Sequence, residues 1–175
     1  MLDNSVKVAL WLAAGLPVAL AMESWSRVLH RRVWHRRLWR LHASHHDTRT
    51  GRFEINDVLS VTHAPIAMAG ILYGCLGPVG PVRELAFGAG LGMTLFGVAY
   101  VLVHDGLVHG RLPARFLMRW RFFRRVRAAH EVHHRHGGAP YGLFRGPAEL
   151  KAAREAAPRP QRAAPNTPRT RSTSS

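Results

Sequence analysis

Three stretches of this 175-residue chain carry no formal charge: residues 8–22, 58–82 and 85–104. A single soluble core has no room to bury three such segments on every side, so they read as membrane spans. The first run measures about 22 Å as a helix, short of a hydrocarbon core of about 30 Å, so the helix is expected to continue through Trp25 to His30. The second holds Pro65, Gly77, Pro78 and Pro81, which predict a kink or an early end. The third holds Gly88, Gly90, Gly92 and Gly97, small residues that let helices approach closely in lipid. The expected fold is an all-α integral membrane protein with about three to four transmembrane helices. Spans are predicted near 8–30, 58–77 and 85–104, the last two joined as a tight hairpin.

Charge then assigns the sides. The chain has 25 Lys+Arg against 10 Asp+Glu, a formal +15. Eight arginines, Arg27 to Arg52, lie between spans one and two; fourteen more, with Lys151, follow span three. That leaves only Lys7 and Arg83 for the opposite face, and positive residues stay in the cytoplasm. The N-terminus is therefore expected outside, with residues 23–57 and everything after 104 inside. A nucleic-acid role would use the same arginines but needs no spans, and the sequence has no aromatic platform for it. Ala19-Leu20-Ala21 resembles a signal-peptidase site, yet Lys7 is offset by Asp3 and the run flows on into further structure, so an uncleaved span is expected.

Residues 111–125 alternate arginines with Leu112, Phe116, Trp120 and Phe123, a pattern that predicts one amphipathic helix lying in the membrane interface. Residues 157–175 are Pro, Arg, Ser and Thr with almost no bulky apolar side chain, the composition of a disordered tail. The organised unit is thus expected over 1–156. Cys75 has no partner cysteine, so an intramolecular disulfide is excluded and cysteine-based zinc or iron–sulfur ligation has no partners.

The twelve histidines are not scattered. His30 and His35 are followed by His42, His45 and His46; His104 and His109 are followed by His130, His133 and His134. The same spacing occurs twice, each time after a span that runs from outside to inside, so two sets of five imidazoles should meet at one membrane surface. On a helix His42, His45 and His46 fall at about 0°, 300° and 40°, with His35 within about 20° of His42. Four imidazoles would then share a face. His30 and His35 are about 140° apart on an ideal α-helix, so one points elsewhere, serves a second metal, or sits on a distorted turn such as a π-bulge. Imidazole suits iron, copper, zinc and nickel, and ten of them can hold two ions in a cytoplasmic di-metal site. Asp47 and Asp105, each next to one of these histidines, are candidate acceptors for imidazole N–H groups. His63 and His136 fall outside the pattern and are read as structural.

The motifs HRRVWH, HASHH, HDGLVH and HEVHH resemble those of the membrane-bound fatty acid hydroxylase superfamily, and within it the beta-carotene hydroxylases. GRFEINDVLSV at 51–61 and GGAPYGLFRGPAEL at 137–150 strengthen the likeness, which covers roughly 20–150. The resemblance implies a non-haem di-iron centre using O2, with two electrons from a ferredoxin and NAD(P)H-reductase system, to hydroxylate the β-ionone rings of a carotenoid drawn from the bilayer. It assigns metal binding to His30, His35, His42, His45, His46, His104, His109, His130, His133 and His134. It also implies a bacterial-type inner membrane with the site on the cytoplasmic face, and an oligomer is among the assemblies open to such a protein.

Three rivals have some footing. Residues 130–134 read HExxH, the zinc-protease motif in which Glu131 would be the general base, but that reading leaves eight patterned histidines idle. A metal transporter would need ligands near the bilayer midplane, where only His63 lies. A ketolase or a hydroxylase of another lipid would share the metal chemistry and differ in substrate.

Overall fold

The computed structural model describes residues 2–47 and 53–156, and the predicted tail at 157–175 lies outside them. Helix α1 (Asn4–Leu29) starts where the Asp3 carboxylate accepts the Ser5 N–H. It runs without a break through Pro17 and into a π-helical turn at His30–Trp34. Helix α2 (Trp39–His46) follows, then a single turn α3 (Asp57–Ser60) and α4 (Ala64–Leu76). Helix α5 (Pro81–Tyr100) also passes into a π-helical segment, Val101–Val108. A 3₁₀ turn (Arg115–Arg119), α6 (Arg121–His136) and α7 (Gly146–Ala156) complete the described residues. The described residues contain no strand.

Three segments are long and apolar enough to cross a membrane: Asn4–Trp34, Asp57–Leu76 and Pro81–Val108. The protein is an all-α integral membrane protein. The prolines of the second run mark helix ends and make no kink: Pro65 sits in the first turn of α4, Gly77 caps its end, and Pro81 opens α5. Proline costs nothing in a first turn, where its missing N–H has no partner to lose.

Helix α5 packs between α1 and α4, and glycines set the spacing. A Cβ added to Gly15 would stand 2.7 Å from the Gly88 carbonyl oxygen, and one on Gly92 would collide with the Gly15 carbonyl. Across the other face, a Cβ on Gly90 would lie 2.7 Å from the Ala67 carbonyl oxygen. Lipid supplies no hydrophobic drive between helices, so backbone-to-backbone contact of this kind holds them together. At the end far from the histidines, buried Glu84 accepts the Trp11 indole N–H at 2.7 Å and tethers α1 to α5.

The segment 111–125 departs from the expected single interfacial helix. It forms a 3₁₀ turn, an extended residue at Trp120 (φ −93°, ψ 132°) and only then α6. Burial explains the break: Ala114 and Leu117 turn inward against Val103, Leu107, Val126 and Leu143, forming a core beneath the π-helical end of span three. The Arg124 guanidinium caps the 3₁₀ turn by donating to the Met118 and Arg119 carbonyls.

Candidate metal centre

The four-residue gaps within His30-x4-His35 and His104-x4-His109 are resolved by π-helical turns. His35 N–H donates to the His30 carbonyl at 3.0 Å, and His109 N–H to the His104 carbonyl at 3.0 Å. The wider turn closed by these i→i+5 bonds brings both members of each pair onto one side, which an ideal α-helix does not do.

Their rings meet those of α2 and α6 in two groups that could each hold an ion: His30, His35, His42, His46 and His133 in the first, and His45, His109, His130 and His134 in the second. His104 adjoins the second group, its Nε2 3.1 Å from that of His45. The expected common face of His35, His42, His45 and His46 is therefore split. In each HxxHH motif the i and i+4 histidines stay with their own segment's group, and the i+3 histidine crosses to the other. His45 and His133 make this exchange in opposite directions, following the roughly 60° by which position i+3 is turned from position i. The His46 and His134 rings stack at 4.6 Å where the groups touch.

Nitrogen contacts within the groups reveal what they are built for. His30 Nε2 lies 3.0 Å from His42 Nε2 and 3.2 Å from His35 Nε2; His35 Nε2 lies 3.1 Å from His133 Nε2; His130 and His134 face each other at 3.0 Å. Several of these rings have already committed their proton elsewhere. His30 Nδ1–H donates to the Tyr141 carbonyl at 2.8 Å, His133 Nδ1–H to the Gly138 carbonyl at 2.6 Å, His42 Nδ1–H to Asn56 Oδ1 at 2.7 Å, and His104 Nδ1–H to Asp105 Oδ1 at 2.8 Å. Bare Nε2 lone pairs thus converge, which is repulsive unless a cation sits among them. Imidazole nitrogens about 2.1 Å from one ion and at right angles are about 3.0 Å apart, so the spacing fits a first-row metal.

Electrostatics agree. Burial, reinforced by the neighbouring rings, pulls His35 and His134 down to about 3 and His42 and His133 to about 4; His45, His46 and His130 are also lowered, chiefly by burial. These seven imidazoles are neutral at physiological pH, the form that binds metal.

Beside the second group stands a carboxylate cluster. Glu54 Oε2 is 3.5 Å from His45 Nδ1, and Arg111 joins Asp57 at 2.6 Å, Glu54 at 3.6 Å and Asp105 at 3.7 Å. Of the two acids suggested by sequence, Asp105 bonds a patterned histidine, while Asp47 is exposed at the end of α2. Glu54, Asn56 and the carbonyls of Gly138 and Tyr141 were not singled out by residue type, their signal being the stretches around 51–61 and 137–150, and Arg111, expected among the interfacial arginines of 111–125, instead binds Asp57. Glu131 pairs with Arg127 on the half-exposed side of α6, turned from the ring of His130 and His134 that a zinc protease would need it to serve. His63 accepts the Trp25 indole N–H at 2.8 Å, and His136 ends α6 exposed.

A cavity of about 590 Å³ lies within the bundle, lined by residues that include Met22, Leu29, Ala67 and Met93. Trp34 and Tyr100 also line it. The Trp34 ring packs on His30 at 5.5 Å and the Tyr100 ring stacks on His104 at 4.6 Å, so one aromatic ring separates the cavity from the first group and another from His104 beside the second.

Residues 16–147 match the family described as fatty acid hydroxylase. The chain belongs to the fatty acid hydroxylase family. This member of the fatty acid hydroxylases is 48% identical over 141 residues to beta-carotene 3-hydroxylase 2, chloroplastic, of Arabidopsis thaliana, covering 79% of this chain and 46% of that protein. It is 40% identical over 158 residues to a beta-carotene hydroxylase of Pseudescherichia vulneris, covering 87% of this chain and 83% of that one. The chain spans about half the length of the plant relatives it matches. No solved structure matches it.

Proposed function

We propose that the chain is an O2-dependent di-iron monooxygenase that hydroxylates the β-ionone rings of β-carotene at the 3-position, giving β-cryptoxanthin and zeaxanthin. The observation that carries this reading is one apolar cavity whose lining residues Trp34 and Tyr100 pack on His30 of the first imidazole group and on His104 beside the second, in a chain similar to beta-carotene hydroxylases. No side-chain acid, base or nucleophile attacks an unactivated ring C–H, so the oxidant must come from a metal and O2. Bound iron would supply that oxidising power. His30, His35, His42, His46 and His133 would hold one ion, and His45, His109, His130 and His134, with His104 beside them, the other.

The chain's own share is orientation and exclusion. The Nδ1–H bonds to Tyr141, Gly138, Asn56 and Asp105 fix ring angle and tautomer. Trp34 and Tyr100 keep the end of the cavity nearest the histidines dry, and its apolar walls align a ring carbon with the site, where positioning supplies much of the rate. The balance is C–H + O2 + 2e⁻ + 2H⁺ → C–OH + H2O, so two electrons enter from outside per hydroxyl. The expected source is a ferredoxin-type protein served by an NAD(P)H reductase, arriving at the cytoplasmic face of a bacterial-type inner membrane. Residues 1–156 form the hydroxylase unit in this reading.

The test is expression in a bacterial strain that accumulates β-carotene, with a His133→Ala variant alongside and the pigments separated by chromatography. β-Cryptoxanthin and zeaxanthin from the wild type alone support the reading. Ketocarotenoids would move the reaction to the ring 4-position, and unchanged β-carotene with verified membrane expression would overturn the substrate.

A further inference from the structure

Two electrons must reach a pair of ions ringed by buried and half-buried imidazoles, and an exposed tryptophan packs against that ring. Trp39, the first residue of α2, is 41% exposed. Its ring nevertheless packs on His35 at 5.4 Å, on His46 at 5.4 Å and on His42 at 6.1 Å, all members of the first group. Trp34, five residues earlier and also packed on His42, is buried at 8% and faces the cavity. The two tryptophans flank the same imidazoles, one from the substrate side and one from solvent.

Around Trp39 lie Arg36, Arg37 and Arg40, all exposed, and none forms an ion pair among the described residues. The arginines that do pair, such as Arg27, Arg83, Arg111 and Arg127, do so with named carboxylates. Unneutralised charge of one sign around an exposed aromatic gives a surface complementary to an acidic protein, and such fields raise association rates by about 10–10³-fold at low salt.

From this juxtaposition, and resting on the di-iron reading above, we infer that Trp39 is the electron entry point and that Arg36, Arg37 and Arg40 dock an acidic one-electron iron–sulfur protein over it. In each transfer the reduced donor would lose one electron to an iron held by the first group, and two such events would supply one turnover. Trp39 shortens the path through its ring to His35 and His46 without itself touching substrate.

The test uses the full chain in nanodiscs, loaded with iron, and a plant-type [2Fe–2S] ferredoxin as probe. Metal content and reduction by dithionite come first, since failure of either in the wild type would defeat the di-iron reading and not the docking. Reduction by the ferredoxin is then followed by stopped-flow absorbance as a function of salt, and binding to the metal-free protein by calorimetry. Replacing Arg36, Arg37 and Arg40 by Gln should lower the second-order rate at low salt by at least about tenfold, flatten its salt dependence and weaken binding, with dithionite reduction unchanged. Trp39→Leu should leave binding intact and slow transfer within the complex several-fold, and Trp39→Phe should lie between. Should Trp39→Leu lose iron, the Phe and Gln variants decide. Ferredoxin reduction at the wild-type rate in Trp39→Leu or Trp39→Phe would overturn the entry point. Normal ferredoxin kinetics in an arginine variant that binds anionic vesicles less well would assign those side chains to lipid headgroups and overturn the docking.

Discussion

The two histidine groups are built from the same local parts and lean on different surroundings. Each takes a π-turn pair or its far member, an i,i+4 pair from an HxxHH helix, and one histidine lent by the other segment. In the first group the imidazole protons go to neutral oxygens, the carbonyls of Tyr141 and Gly138 and the Asn56 amide. In the second the partners are charged: Asp105 behind His104 and Glu54 near His45, both tied to Arg111. A carboxylate makes an imidazole a stronger donor than a carbonyl does, so the second group should hold its ion more tightly and keep it more readily oxidised. Donor atoms follow from local spacing, whereas the partners that tune those donors lie at every separation, from Asp105 next to His104 to the Tyr141 carbonyl that holds His30.

The exchange of His45 and His133 gives the sharpest way to break this comparison. His45→Ala should cost the second group its ion although His45 belongs to the first segment, and His133→Ala should do the converse. Metal analysis should show content falling from about two ions per chain to about one in each, with hydroxylation abolished in both. If His45→Ala instead empties the first group, judged by the spectrum of the surviving cobalt ion, the crossing is wrong.

Exchanging the backing is the next largest effect. Asp105→Asn keeps the shape and removes the charge, and should weaken metal at the second group by about 10–100-fold in a stepwise cobalt titration of the metal-free protein. Asn56→Asp adds a carboxylate behind His42 and should tighten the first group. Equal shifts at both steps would mean that the two groups are not independently tuned.

Acid should strain both groups once metal is removed. The unfolded histidines titrate near 6.5, whereas His42 and His133 titrate at about 4 and His35 and His134 at about 3 in the fold. Above 6.5 neither state binds these protons and stability is unaffected. Below it the unfolded chain gains protons that the fold refuses, so stability falls progressively between about pH 6.5 and pH 3. Thermal unfolding of the metal-free protein should drop steeply across that window, and the loaded protein should resist it. A flat profile for the metal-free form would contradict the buried, neutral imidazoles.

Much of this was legible from residue order. Uncharged runs announced the spans, and the x4 gaps announced either a distorted turn or a divided pair; both gaps became π turns that keep their pairs together. The allocation of His45 and His133 was not legible, because helix angles say which way a side chain points and not what meets it. Nor was the break at Trp120, since alternating arginines and aromatics look alike whether the inward stripe meets lipid or, as with Ala114 and Leu117, the chain's own core. Backbone carbonyls have no residue signature at all, so the roles of Gly138 and Tyr141 emerge only in three dimensions.

Those carbonyls point to the mildest test of the comparison. The loop that presents them is clamped to α1: buried Glu23 accepts the Arg145 N–H at 2.9 Å, Glu149 accepts the Tyr141 N–H at 3.0 Å, and Arg27 holds Glu149 at 2.6 Å. The neutral backing of the first group therefore depends on charges one step removed, while the second group's charges touch or face its rings directly. Glu23→Gln keeps an acceptor for Arg145 and exchanges a charge-assisted hydrogen bond for a neutral one, a loss of about 1 kcal/mol. That should loosen the loop rather than release it, weakening metal at the first group by less than about tenfold and leaving the second step of the titration where it was. An equal loss at both steps would show that the clamp supports the bundle as a whole, and the first group would then owe its geometry to the helical segments that carry its histidines and not to the loop.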